Sequence, residues 1–210
     1  MYAITPNCTA EEALARLREG NNRFVANSLG LVEAVKCTHL ADLVRAQKPF
    51  AVILGCSDSR VPAEVIFDCG LGELFVIRVA GNIAAESQIG SIEYAATQLG
   101  PSLVVVLGHT CCGAIGATLD ALQGAQNDES LNIKAIVDLI GPAVAPLLNG
   151  AQSMDRDELI HRAVRANVRR TMQTLRSGSP VIEDLVRAGK LRIVGAEYSL
   201  ADGEVDFFES

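Results

Sequence analysis

Two hundred and ten residues suit one ordinary α/β domain with a substantial core. With 49% of residues hydrophobic and 20% charged, a disordered chain is excluded, and a net charge of −7 without a basic stripe argues against a nucleic-acid partner. No run approaches the ~20 consecutive apolar residues of a membrane helix, and residues 1–8 lack the basic-then-apolar layout of a secretory signal, so a cytoplasmic protein away from membranes is expected.

In chain order, Thr9 and Glu12 form a capping-box pattern, after which Ala13, Leu14, Leu17 and Phe24 recur at helical spacing. A second short helix is predicted over 38–47, completing an N-terminal helical arm over about 9–48. Residues 50–55 are a short apolar run ended by polar residues, the pattern of a buried strand. Pro62 at a first helical position predicts a brief helix, and 73–79 a second strand. A helix over 86–99 and a third strand over 103–108, almost pure Leu and Val, follow.

Helices are then predicted over 113–122, 131–148 (bent at Pro142 and Pro146) and 155–176, and Ser179-Pro180 starts another. The cluster Arg162, Arg165, Arg169 and Arg170 reads as a solvated helix face. Residues 191–200 and 204–208 predict a hairpin around Asp202-Gly203. No repeat or linker divides the chain. The expected fold is a single α/β domain over 1–210, with a central, mainly parallel β-sheet flanked by helices and a C-terminal antiparallel hairpin.

Six cysteines in such a chain point to metal binding or plain burial rather than to disulfides. Cys56 and His109 both close predicted core strands, and open α/β sheets bind ligands beyond the carboxyl ends of strands. If strands one and three are neighbours, the two side chains meet, with Cys112 in reach on the turn into the next helix. That helix N-terminus is expected to lower the Cys112 thiol pKa. Two thiolates and an imidazole suit zinc and leave a fourth position for water. Asp58 can fill that position or hydrogen-bond the water there, while Arg60 can pair with Asp58 and pull it off the metal. Cys111 competes with Cys112 as the ligand.

The chain resembles the β-class carbonic anhydrases. The resemblance rests on Cys56-Ser57-Asp58-Ser59-Arg60 and Gly108-His109-Thr110-Cys111-Cys112-Gly113-Ala114. It extends through Gly72-Glu73-Leu74-Phe75, Arg78, Ala80-Gly81-Asn82, Ile92-Glu93-Tyr94, Gly20-Asn21-Asn22-Arg23-Phe24-Val25 and Ile193-Val194-Gly195-Ala196, nearly the whole chain. It implies one Zn2+ per chain held by Cys56, His109 and Cys112, in preference to Cys111, with Asp58 and Arg60 as a catalytic dyad and Asp58 as fourth ligand in a closed state. The implied activity is reversible hydration of CO2 to bicarbonate and a proton by zinc-bound hydroxide.

By the same resemblance, Gln47 of a neighbouring subunit orients bicarbonate, while Phe75, Ala80 and Tyr94, with Val61 beside them, line an apolar CO2 pocket. A homodimer or homotetramer with active sites at the subunit interface is implied. One subgroup carries a tryptophan three residues before the first zinc cysteine, as part of a second bicarbonate site. Ile53 stands there in a chain without tryptophan, which favours the open-site subgroup, although Arg78 matches another part of that site. Three other readings are a hydrolase of CS2 or COS, a structural or regulatory zinc protein, and a cysteine nucleophile served by His109. Neither His39 nor His161 adjoins a motif, so no proton shuttle is assigned.

Overall fold

A computed structural model of the chain describes residues 7–27, 43–44, 46–125, 130–149 and 154–208. Helix α1 (Ala10–Asn27) begins with the reciprocal cap that its sequence predicts. The Glu12 N–H donates to Thr9 Oγ1 at 3.2 Å, and the Thr9 N–H donates to Glu12 Oε2 at 2.8 Å. Residues 46–49 have no regular structure, so the helix predicted over 38–47 does not reach Gln47. Most of that helix, with His39 and part of the 9–48 arm, lies outside the described residues.

Strand β1 (Ala51–Gly55) is buried at every position. Helix α2 (Ala63–Ile66) follows, and Pro62 is its N-cap rather than its first residue: φ −78° and ψ 108° are extended, while its carbonyl accepts the Ile66 N–H. Strand β2 (Leu74–Arg78) leads through a tight turn at Ala80–Asn82 to helix α3 (Glu86–Tyr94). The predicted helix over 86–99 therefore divides. Its last part, Ala95–Leu99, widens into a π turn, where the N–H of left-handed Gly100 reaches back to the Ala95 carbonyl.

Strand β3 (Leu103–His109) runs one residue further than predicted, and α4 (Gly113–Leu122) follows. Helix α5 (Leu131–Leu148) passes through both prolines as one element. By length and composition α5 is apolar enough to cross a membrane, with mean hydropathy 1.6, which qualifies the expectation drawn from unbroken apolar runs. It is amphipathic here: Lys134 pairs with Asp138, and Ile140 and Val144 enter the core. Helices α6 (Arg156–Ser177) and α7 (Pro180–Arg187) precede the hairpin of β4 (Arg192–Tyr198) and β5 (Val205–Phe208).

The sheet order is β2–β1–β3–β4–β5, parallel throughout except for β5. Alternate residues of the central strands sort to opposite faces, as a pleated strand requires. Ile53, Val105 and Val194 pack with Leu17 of α1 and Phe67, whereas Leu54, Val104 and Val106 pack with Ile92, Val168 of α6 and Ile182 of α7. A third cluster, at the carboxyl ends of β1 and β3, joins Cys56 and Cys112 to Ile115, Ile140 and Val164. The Arg-rich stretch of α6 is not uniformly solvated. Arg165 is 22% exposed, pairs with Glu197 and Asp206, and lies 4.0 Å over the Phe208 ring.

Candidate metal centre

From β1 the chain crosses to β2 on one side and then to β3 on the other, so β1 and β3 are neighbours at the point where strand order reverses. Side chains at their carboxyl ends face one crevice. Cys56 follows the last residue of β1, His109 is the last residue of β3, and Cys112 is the N-cap of α4. All three are buried, and their ligand atoms lie within 4.8 Å of one another. A tetrahedral zinc with bonds of ~2.0–2.3 Å spaces its ligands closely enough to fit that triangle.

The local turn decides which cysteine enters. Cys111 adopts a left-handed φ of 55° and is exposed, whereas Cys112 is buried, so the crevice receives Cys112. His109 is oriented by its neighbour: Nδ1 lies 2.9 Å from the Thr110 carbonyl oxygen, which can only accept, so the proton sits on Nδ1. That leaves the Nε2 lone pair facing the sulfurs, and Nε2 is buried without a hydrogen-bond partner. A metal ion satisfies such an atom; apolar packing does not.

The two sulfurs titrate as a pair, and hydrogen bonding from Cys112 holds the Cys56 thiol well below its usual range. The same bond, followed by burial, pushes Cys112 up. The backbone N–H groups of Ile115 and Ala114 at the helix start lower the Cys112 pKa, as the sequence predicts, but by less than Cys56 and burial raise it. The Gly81 N–H also donates to Cys56 Sγ, at 3.4 Å.

Asp58 and Arg60 meet as a bidentate pair. Arg60 Nε is 2.9 Å from Asp58 Oδ1, Nη2 is 2.6 Å from Oδ2, and the Arg60 backbone N–H also reaches Oδ1 at 3.0 Å. These contacts, Arg60's first, hold the Asp58 carboxyl well below the usual carboxylate range. Oδ2 still lies only 3.9 Å from His109 Nε2, beside the metal position and turned away by the guanidinium. Arg78, at the end of β2, donates to the carbonyls of Cys56 and Asp58 and straps the loop down. Sequence reasoning gave Arg78 no such role, because the contact depends on β2 lying beside β1 in register, Gly55 opposite Arg78.

The remaining candidates spread around this centre. Phe75 and Tyr94 form a tilted ring pair with centroids 6.4 Å apart, and Tyr94 is 53% exposed. Ala80 is half-buried in the turn before Gly81. Val61 is buried in the α1-side core with Ile53 and Ile66, one residue beyond Arg60. Gln47 is exposed. His161 pairs at 3.1 Å with buried Glu197 on the α6 side of β4, as a packing histidine would.

A family model described as carbonic anhydrase matches residues 51–205. "Carbonic anhydrase 2" of Mycobacterium tuberculosis is 42% identical over 202 residues, covering 94% of this chain and 92% of that one. "Carbonic anhydrase" of Mycolicibacterium smegmatis is 41% identical over 204 residues, covering 96% and 94%. Among solved structures, the β-carbonic anhydrase CcaA superposes with a TM-score of 0.71 at 28% identity, covering 95% of this chain and 90% of that one. A tetrameric β-carbonic anhydrase of Sordaria macrospora, at 22% identity, shares the fold with a TM-score of 0.74 over 82% of this chain and 86% of that one.

Proposed function

The chain belongs to the β-class carbonic anhydrase family, and from that premise we infer how its own residues carry the chemistry. It is a lyase that hydrates CO2 reversibly to bicarbonate and a proton, with zinc as its cofactor. One observation carries the residue assignment: the buried Cys56–His109–Cys112 triangle with an unpartnered Nε2. These three side chains hold the metal. When bound, zinc supplies the Lewis acidity that brings a water's pKa to about 7, a value for which carbonic anhydrase is itself the standard illustration.

Asp58 does the positioning. Its carboxylate accepts the proton of the attacking water in a hydrogen bond and aims the oxygen lone pair at CO2. Arg60 keeps that carboxylate ionised and off the fourth metal position, which counts against a permanently closed, purely structural zinc site. Phe75, Ala80 and Tyr94 give CO2, which has no dipole, an apolar surface, while Val61 packs into the core on the other face of the sheet. The engaged dyad and Ile53 in place of tryptophan support the open-site subgroup.

A homodimer is the smallest complete unit in this reading, with active sites at the subunit interface. Its support is the exposure of Tyr94 and Gln47, two side chains assigned to substrate that a single chain leaves uncovered. The thiolate ligands need reducing surroundings, which favours the cytoplasm. The test is stopped-flow CO2 hydration by zinc-loaded protein from about pH 6.5 to about pH 9. Activity rising smoothly with pH is expected, a steep cooperative onset would replace the open site by one gated through Asp58, and no activity with zinc confirmed would overturn the assignment. Cys56→Ser and His109→Ala should each bring bound zinc far below one per chain.

A further inference from the structure

Gly81 touches the metal centre from a direction that none of the ligand segments supplies. It sits in the turn after β2 with φ +72°, and its N–H donates to Cys56 Sγ at 3.4 Å. The turn is wedged among three helices. A Cβ on Gly81 would come within 2.7 Å of Ile140 Cδ1 on α5 and 3.3 Å of Ala114 Cβ on α4. On the third side, Asn167 of α6 donates from Nδ2 to the Gly81 carbonyl at 2.7 Å. Asn167 is 1% exposed, and it lies 86 residues from Gly81 in the chain.

Asn167 stands where α6 packs closely against the sheet. Val168, its neighbour on α6, packs over Gly108 of β3 and Gly195 of β4, where any Cβ would come within 2.8–2.9 Å of its methyl groups. The two glycines let the helix descend, and the descent sets the Asn167 amide against Gly81. Asn167 anchors the peptide that follows Gly81, the Asn82 N–H closes the turn on the Val79 carbonyl at 3.0 Å, and Ile140 and Ala114 crowd the residue, so together they hold the Gly81 N–H towards the sulfur.

We propose that Asn167 is a positioning residue for the metal centre: by fixing Gly81, it holds an N–H···S hydrogen bond that withdraws charge from the Cys56 thiolate. A thiolate that donates less charge leaves its zinc more electrophilic, which offsets part of the cost of using two sulfur ligands. The same bond orients Sγ before metal arrives, and this preorganisation outweighs the weaker donor in its effect on zinc affinity. This inference rests on Cys56, His109 and Cys112 being the ligand set.

The test uses the full chain loaded with cobalt(II), whose thiolate-to-metal charge-transfer absorption reports the charge on sulfur. Asn167→Leu keeps similar volume and removes the donor; Asn167→Ser, too short to reach Gly81, is a second route should the first fold poorly. Val168→Ala loosens the same stretch of α6 without touching Gly81 and serves as the control. The Asn167 variants should move the absorption to longer wavelength and weaken zinc binding ~10–100-fold, whereas Val168→Ala should leave the band in place.

Unmoved bands and unchanged zinc affinity in a folded Asn167 variant would overturn the proposal. In the unaltered chain, loaded with an NMR-active cadmium isotope, the Gly81 amide proton should couple to the metal through Sγ; its failure to do so would also overturn it. A native chain without any thiolate-to-cobalt band would instead sink the ligand set itself.

Discussion

In the proposed reading, Asp58 lies near enough to the metal centre, 3.9 Å from His109 Nε2, to be a ligand, and its bidentate pair with Arg60 holds it back. Removing the carboxylate therefore separates metal binding from turnover. Asp58→Ala should retain zinc, measured by metal analysis, while kcat falls ~10²-fold or more in stopped-flow hydration, because a positioned proton acceptor is lost and no ligand is. The cysteines divide just as sharply. Cys111 is exposed, whereas burial pushes the Cys69 thiol up from an ordinary 9.0 to about 12. At pH 8 iodoacetamide should alkylate Cys111 and spare Cys69 in the folded protein, as read by peptide mass spectrometry. Because the fold retains a proton on Cys69 that the unfolded chain releases, this thiol's contribution is complete below about pH 9 and is lost as pH rises towards 12. The urea midpoint should fall across that window, and less steeply in Cys69→Ala.

Among the elements, α1 shows how a motif with no chemistry can still serve the site. Asn21, 5% exposed, donates from Nδ2 to the carbonyls of Ile66 (3.2 Å) and Gly203 (2.9 Å), and its Oδ1 accepts the Val205 N–H (2.9 Å). One side chain thus ties α1 to α2 and to the β4–β5 hairpin, while Phe24 packs against Tyr198. Asn21→Ala leaves three backbone groups short of partners. It should cost about 2–4 kcal/mol in urea unfolding, with zinc stoichiometry unchanged under native conditions.

The strands β1 and β3 were legible because apolar β-branched runs stop abruptly at polar residues, and the proposed ligands Cys56 and His109 stand at those stops. What surrounds them was not legible. Arg78 acts through strand register, and Asn167 through the approach of a helix 86 residues away from its partner. Each is a long-range contact that leaves no local spacing in the sequence. The π turn at Ala95–Leu99 escaped for another reason: its residues have ordinary helical composition, and only the left-handed Gly100 marks the change.

At the scale of the whole molecule, the exposed Gln47 and the half-exposed Phe75–Tyr94 pair make a lone chain an incomplete enzyme in the proposed reading. If Gln47 acts across the interface, a Gln47→Ala chain and a Cys56→Ser chain each lack something the other provides. Mixed dimers, verified by mass, should recover activity that neither parent has, at up to one working site per dimer. No recovery would return Gln47 to its own chain or to the surface.

The placement of the three proposed ligands has a consequence for folding as well. They come from the end of one strand, the end of another, and the cap of a helix, so Cys56 and His109 close a long stretch of chain containing β2 and α3. An ion held between them works as a removable clasp on that loop: it favours the folded chain in proportion to the logarithm of free zinc. Without it, the two sulfurs lie buried side by side in one crevice. In the proposed reading, zinc supply therefore sets the stability of the fold as well as turnover.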